Sequence, residues 1–210
     1  MGACYNQGCD GRGAARTEWV RRRFLSRWGS ALLLPLLPLA CWLPLANAQS
    51  AAGEIDREYD LKAVFLYNFT RYVRWPVECL GQPTQPFVIG VLGADPFGGT
   101  LDRIAAAKKV DEHPIQVRRF KSPSEYRQCH ILFVAGPVDA DRQSAIAAAV
   151  QDSPVLLVGE SKDYCRQGGA INFVIKDNAV KLQLNLVAAK AHSLTLHSGL
   201  IKLASEVTEK

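Results

Sequence analysis

Methionine is nearly absent from this sequence. Met1 is the single one in 210 residues, which excludes a soft, methionine-rich recognition surface, and no internal repeat marks a solenoid. Histidine is sparse too. His113, His130, His192 and His197 do not cluster, and His192 and His197 straddle a predicted helix end, so they share no helical face. No H-E-x-x-H pair, G-x-S-x-G elbow or Walker sequence occurs. The carboxylates are scattered as on a solvated surface. The reading is that the chain is not an enzyme and has no metal or cofactor.

Charge of one sign is missing from most of the chain as well. The formal net charge is +5, but Arg12, Arg16, Arg21, Arg22, Arg23 and Arg27 precede residue 49, against Asp10 and Glu18 alone. The remainder is balanced to within one charge, which is no footprint for nucleic acid. The arginines lead into "GSALLLPLLPLACWLPLANA", Gly29 to Ala48. A basic region, an apolar stretch and Ala46-Asn47-Ala48 before Gln49 make a cleavable export signal. Pro35, Pro38 and Pro44 argue against a membrane anchor. "RRRFLS" resembles a twin-arginine motif, although Val20 and the apolar stretch favour the general route. "LAC" at Cys41 is a poor lipoprotein box, with Pro38 before it and Trp42 after. Residues 1–19 do not look like a signal, so translation from Val20 is a second reading of the start. The expected organisation is residues 1–48 removed and residues 49–210 as one domain.

Cleavage leaves Cys79, Cys129 and Cys165. An exported chain meets an oxidising compartment, so one disulfide and one remaining thiol are expected, with three pairings open. The cysteines are too dispersed for zinc.

The domain opens with a helix predicted from about Ile55 to Trp75, on the spacing of Leu61, Phe65, Asn68, Phe69, Tyr72 and Val73, and ended by Pro76. Its charges exclude a membrane span. After the loop "PVECLGQPTQP", "FVIGVLG", "HILFVAG" and "PVLLVGE" read as buried strands, and "IQVRRF" as an alternating one. Helices are predicted over Pro96–Lys108, in "DADRQSAIAAAVQD", from Leu186 with Asn185 as cap, and near Gly199–Val207. "AINFVIKDNAVKLQLN" is a hairpin signal. The fold class expected is α/β: a mostly parallel central sheet flanked by helices, with a C-terminal antiparallel hairpin.

Two glycine-rich turns are candidate ligand loops. "GADPFGG" holds Asp95, Gly98 and Gly99 at a strand-to-helix turn, where open α/β sheets bind ligands. Gly168-Gly169 permits positive φ or close backbone approach. "NFT" at Asn68 matches a glycan acceptor only formally. On the first helix, Phe65, Phe69 and Tyr72 suffice to face the sheet. Tyr59, Tyr67, Arg71, Arg74 and Trp75 remain, and they are of the types enriched in interface hot spots.

"LKAVFLYNFTRYVRWP", "VLGADPFG", "CHILFV", "GGAINFV" and "LQLNLVAAKAHSLTLHSGLIKLA", in this order from Tyr59 to Ala204, resemble the YfiR-like family. The resemblance implies a homodimeric periplasmic regulator. Such a protein binds the periplasmic region of an inner-membrane diguanylate cyclase and holds it inactive, lowering cyclic-di-GMP output and biofilm formation. It is released by redox change or by an outer-membrane lipoprotein. The first strand lacks the cysteine common there, so Cys79 is taken as the partner of Cys129. The alternative from another class is a small-ligand sensor, built on Asp95, Gly98, Gly99, Gly168 and Gly169, acting on a membrane kinase or another signalling partner.

Overall fold

A six-residue run without a polar side chain, Phe87–Leu92, is stable only where both its faces are covered. It forms a wholly buried strand inside the sheet. The computed structural model describes residues 46–209, with side chains from Asp56 onward. The expected export segment up to residue 45, with Val20 and Cys41, lies outside the described residues.

Within them the order is α1 (Ala46–Tyr72), β1 (Val73–Arg74), α2 (Val77–Leu80), β2 (Phe87–Leu92), α3 (Thr100–Ala107), β3 (Lys109–Val110), β4 (His113–Phe120), a 3-10 turn (Pro123–Glu125), β5 (Ile131–Val134), α4 (Ala140–Ala149), β6 (Leu156–Gly159), β7 (Ile171–Lys176), β8 (Ala179–Asn185), α5 (Leu186–Ala191), β9 (Thr195–Leu196), α6 (Ser198–Leu203) and β10 (Glu206–Thr208). Eight strands form one sheet in the order β10-β8-β7-β6-β5-β2-β4-β3, and β1 pairs with β9 in a separate antiparallel ribbon. The ladders from β4 through β2, β5 and β6 to β7 are parallel. The hairpin β7–β8 is antiparallel. This is the α/β architecture expected from the sequence.

Alternation along the strands splits the core into two. Phe87, Ile89 and Val91 join Phe133 and Val158 under α1, α3, α5 and α6. Val88 and Leu92 join Leu132, Val134 and Leu157 under α4, where Ile146 and Val150 meet them. Ala63, Leu66 and Phe69 on α1, continued by Val73 at the start of β1, are the buried stripe, at three- and four-residue spacing. Burying Leu66 or Phe69 in full contributes about 1.5–3 kcal/mol each.

Local chemistry explains most boundaries. Asp177 and Asn178 both take positive φ, 54° and 56°, the type I′ geometry that suits a two-residue hairpin. Asn185 caps α5 by accepting from Ala188 N at 2.9 Å. The expected last helix ends early, at Leu203. Ser205 then donates its N–H to the Leu182 carbonyl, and Val207 packs into the larger core as β10 runs parallel to β8. The first helix yields at Tyr72, where Val73–Arg74 pairs with β9.

Gly169 has a packing reason. A Cβ there would lie 2.2 Å from the Tyr164 ring, and one at Gly159 would lie 2.4 Å from the same ring. The two glycines form a slot for a fully buried tyrosine. Gly169→Ala should therefore cost about 1–3 kcal/mol by urea denaturation, as overpacking does. Tyr164→Phe should cost nothing, because the buried Tyr164 hydroxyl has no partner among the described residues. Unchanged stability of the alanine variant would show that the slot is loose.

Candidate functional site

Because one side of α1 is committed to the sheet, its other side must face away. Leu61 and Val64 are each 43% exposed, and Arg71 is exposed about two helical turns beyond Val64. Tyr67 is half-buried beside them and, with Thr70 and Arg71, faces Lys109, Val110 and Asp111 across a polar groove of about 520 Å³. Arg74 is exposed on β1. Tyr67, Arg71 and Arg74 thus fall near one another at the C-terminal end of α1. Tyr59 lies about 12 Å back along the helix axis from Tyr67, its ring edge-on to Phe97 at 5.9 Å.

Trp75 is a correction to the sequence reading. It is only 9% exposed. Its ring meets Phe87 edge-on at 5.1 Å, and its Nε1–H donates to the His130 carbonyl at 3.1 Å. It is a core anchor and is withdrawn from the exposed set. His130 closes the same corner. Its ring stacks on Phe87 at 4.4 Å, and Nδ1 accepts from Val88 N at 2.9 Å. The proton must then sit on Nε2, which donates to the Cys79 carbonyl at 3.1 Å. Only the neutral ring can do both. Burial lowers its pKa from the ordinary value.

The disulfide expected between Cys79 and Cys129 is also corrected: Cys79, Cys129 and Cys165 are free thiols. Cys129 packs in the α4-side core with Phe120 and Tyr126. The Cys79 segment lies on the α1 side, where its carbonyl meets His130 and Leu80 packs against that core. Burial pushes the Cys129 and Cys165 thiols up to about 12, far from the thiolate range that reactive cysteines need.

The two glycine turns differ in their surroundings. Asp95 caps Phe97 N at 2.8 Å and takes the Arg119 Nε at 2.7 Å, while Arg119 also binds Asp102. Gly98 and Gly99 are exposed, with nothing within 4 Å of an added Cβ. Gly168 sits at φ 101° beside the Tyr164 slot. The topological switch point of the sheet lies between β2 and β5, because the chain moves to β4 and then back across β2 to β5. There Arg142 of α4 fills the space. Its guanidinium donates to the carbonyls of Pro137 at 2.6 Å and Ala135 at 3.0 Å, and comes within 2.9 Å of a Cβ built on Gly93.

One crevice was not foreseen. It measures about 580 Å³ and lies beyond the C-terminal ends of β5, β6 and β7, lined by Glu58, Tyr59, Lys62, Pro137, Glu160 and Phe173 among others. Lys62 is 3% exposed and binds Glu160 at 2.7 Å and Glu58 at 2.5 Å. Its Nζ stands 4.4 Å from the Tyr59 ring centroid. Glu160 further accepts from Gly136 N at 3.1 Å. Burial pulls the Lys62 pKa down, but the two carboxylates outweigh it and the net shift is upward. For Tyr59, burial and then the Glu160 charge raise it. The available signal was that Lys62, Leu66, Phe69 and Val73 fall on one helical stripe, with Glu58 one turn before the lysine.

His130 generates a pH dependence. Its folded pKa lies below the unfolded 6.5, so its contribution to stability is present above that value and is lost as pH falls through the folded pKa. Urea titrations from pH 7.5 to 4.5 should show stability falling below about 6.5, and His130→Gln should flatten that part of the curve. An equal slope in the variant would assign the acid limb elsewhere.

The sequence model of the YfiR/HmsC-like family matches residues 59–205. No curated protein matches. Among solved structures, a conserved domain protein from Vibrio cholerae O1 biovar eltor str. N16961 aligns at TM-score 0.42 and 12% identity, over 58% of this chain and 55% of that one. The ABC domain in complex with L-Trp from Streptococcus pneumonia aligns at TM-score 0.42 and 14% identity, over 62% and 57%. The matched part spans little more than half the length of either protein. With nearly all of the described domain inside the family match, the chain belongs to the YfiR/HmsC-like family.

Proposed function

We propose that this protein binds the periplasmic region of an inner-membrane diguanylate cyclase through the outward face of α1 and holds the enzyme inactive, lowering cyclic-di-GMP. The observation that carries the reading is the unpartnered face itself. Leu61 and Val64 lie exposed on a helix whose buried stripe is already complete. Arg71 and Arg74 have no carboxylate partner among the described residues. Tyr67 and the unpaired arginines are of the types enriched in interface hot spots, and Leu61 and Val64 add apolar area beside them. Tyr59 lies off this face, against Phe97 and beside the Lys62 crevice. A homodimer, release by an outer-membrane lipoprotein and an effect on biofilm formation belong to the same proposal. Control by disulfide exchange is left out of it, since Cys79, Cys129 and Cys165 are free thiols.

The test is Tyr67→Ala with Arg71→Ala, scored by cyclic-di-GMP level and by capture of the cyclase's periplasmic region. Binding should fall at least about tenfold, a loss of roughly 1.4 kcal/mol or more, with Tm nearly unchanged. Trp75→Ala should instead lose about 3–5 kcal/mol of stability, as large core truncations do. A folded double variant that still binds would place the contact elsewhere.

A second reading, a small-ligand sensor acting on a membrane kinase or another signalling partner, is supported by the 580 Å³ crevice at the strand ends. It rests on Lys62, Glu160 and Phe173 in place of the glycine turns. A thermal-shift screen with nucleotides and amino acids should then give a hit that Phe173→Ala weakens. Silence across both classes counts against it.

A further inference from the structure

Along any strand, successive residues turn their backbone N–H and C=O groups to opposite neighbours. Gly93 N donates to the Phe120 carbonyl at 2.8 Å, which sets the parity of β4. Gln116, Arg118 and Phe120 address β2, while Ile115, Val117 and Arg119 turn their backbone groups the other way. On that outer side β3 covers only His113 and Pro114. Among the described residues no strand, loop or side chain meets the outward N–H and C=O groups of Ile115, Val117 and Arg119.

An open edge of this length is a template for another strand, and the local charge selects which. Arg118 is held only by the Gln116 side chain and the Gln128 carbonyl. Arg127 bonds only backbone carbonyls. Neither these two nor Lys121 has a carboxylate partner among the described residues. Arg119 differs, being occupied by Asp95 and Asp102. A second copy pairing through the same edge would set arginines against arginines, which is destabilising. An acidic strand would find the reverse. The two sides of the edge also differ: Val117 packs against the larger core beside Ile104, whereas Gln116 and Arg118 lie on the opposite face.

We propose that the outer edge of β4, from Ile115 to Phe120, receives an extended segment of a partner protein that alternates apolar and acidic side chains, added as a further strand. Main-chain hydrogen bonds supply the affinity of such an addition, and alternate side chains its specificity. The site is separate from the α1 face and does not rest on it.

The probe is an end-capped fluorescent hexapeptide alternating valine and glutamate, with valine–lysine as its counterpart. In the free protein, amide exchange read by NMR should be fast at Ile115, Val117 and Arg119 and slow at Arg118 and Phe120. The glutamate peptide at about 1 mM should slow the three fast amides, and the lysine peptide should not. Val117→Pro removes one outward N–H without touching the β2 ladder, and should abolish binding in a folded protein. Arg118→Glu, a milder change, should weaken the glutamate peptide about tenfold and admit the lysine one. The Tyr67→Ala/Arg71→Ala variant should bind the peptide as the parent does, which separates this edge from the α1 reading. Slow exchange at all these amides in the free protein, equal binding of the two peptides, no binding at that concentration, or survival of binding in folded Val117→Pro would overturn the proposal.

Discussion

A helix can hide only one side of itself. On α1 that side runs through Ala63, Leu66 and Phe69 and on to Val73 of β1, all buried against the sheet, and it is fastened at both ends. Where that stripe begins, Lys62 is held between Glu58 and Glu160. Just past its C-terminal end, Trp75 bonds the His130 carbonyl and packs on Phe87. A buried ion pair adds little net stability when intact, yet costs about 3–5 kcal/mol when one partner is removed. It works here as a position lock. With rotation about the helix axis prevented, Leu61, Val64 and Arg71 have no way to turn inward.

The same molecule closes off the places where an α/β sheet would ordinarily do chemistry. Arg142 occupies the switch point between β2 and β5. Asp95, the best-placed carboxylate of the glycine turn, is occupied by Phe97 N and Arg119. The glycine at 169 makes room for a tyrosine of the chain itself. Two of the three thiols lie buried with raised pKa values. Among the described residues, what stays open includes a helix face, a strand edge, the crevice at Lys62 and the polar groove beside Tyr67.

Much of this was legible in the sequence because the deciding interactions are local. Apolar runs without polar interruption announce buried strands, Asp177-Asn178 announces a tight hairpin, and Asn185 announces the start of α5. The misreadings have one cause, which is distance along the chain. Lys62 reads as a surface charge because the carboxylate that keeps it inside lies 98 residues away. Trp75 reads as exposed because its acceptor is 55 residues away. Cys79 and Cys129 read as neighbours because sequence order does not reveal which face of a sheet a loop returns to. The last helix was extended too far because nothing nearby signals that Val207 will find a sheet edge. The open side of β4 had the same character, since it follows from β3 being only two residues long.

The central claim is that the outward face of α1 is where the partner sits. A photo-crosslinking amino acid placed at Val64 in living cells tests it most directly, with Val187, exposed on α5, as the reference position. The account predicts a crosslink from position 64 to an inner-membrane diguanylate cyclase and none from position 187. Capture of the cyclase from position 187 with silence at 64 would contradict it.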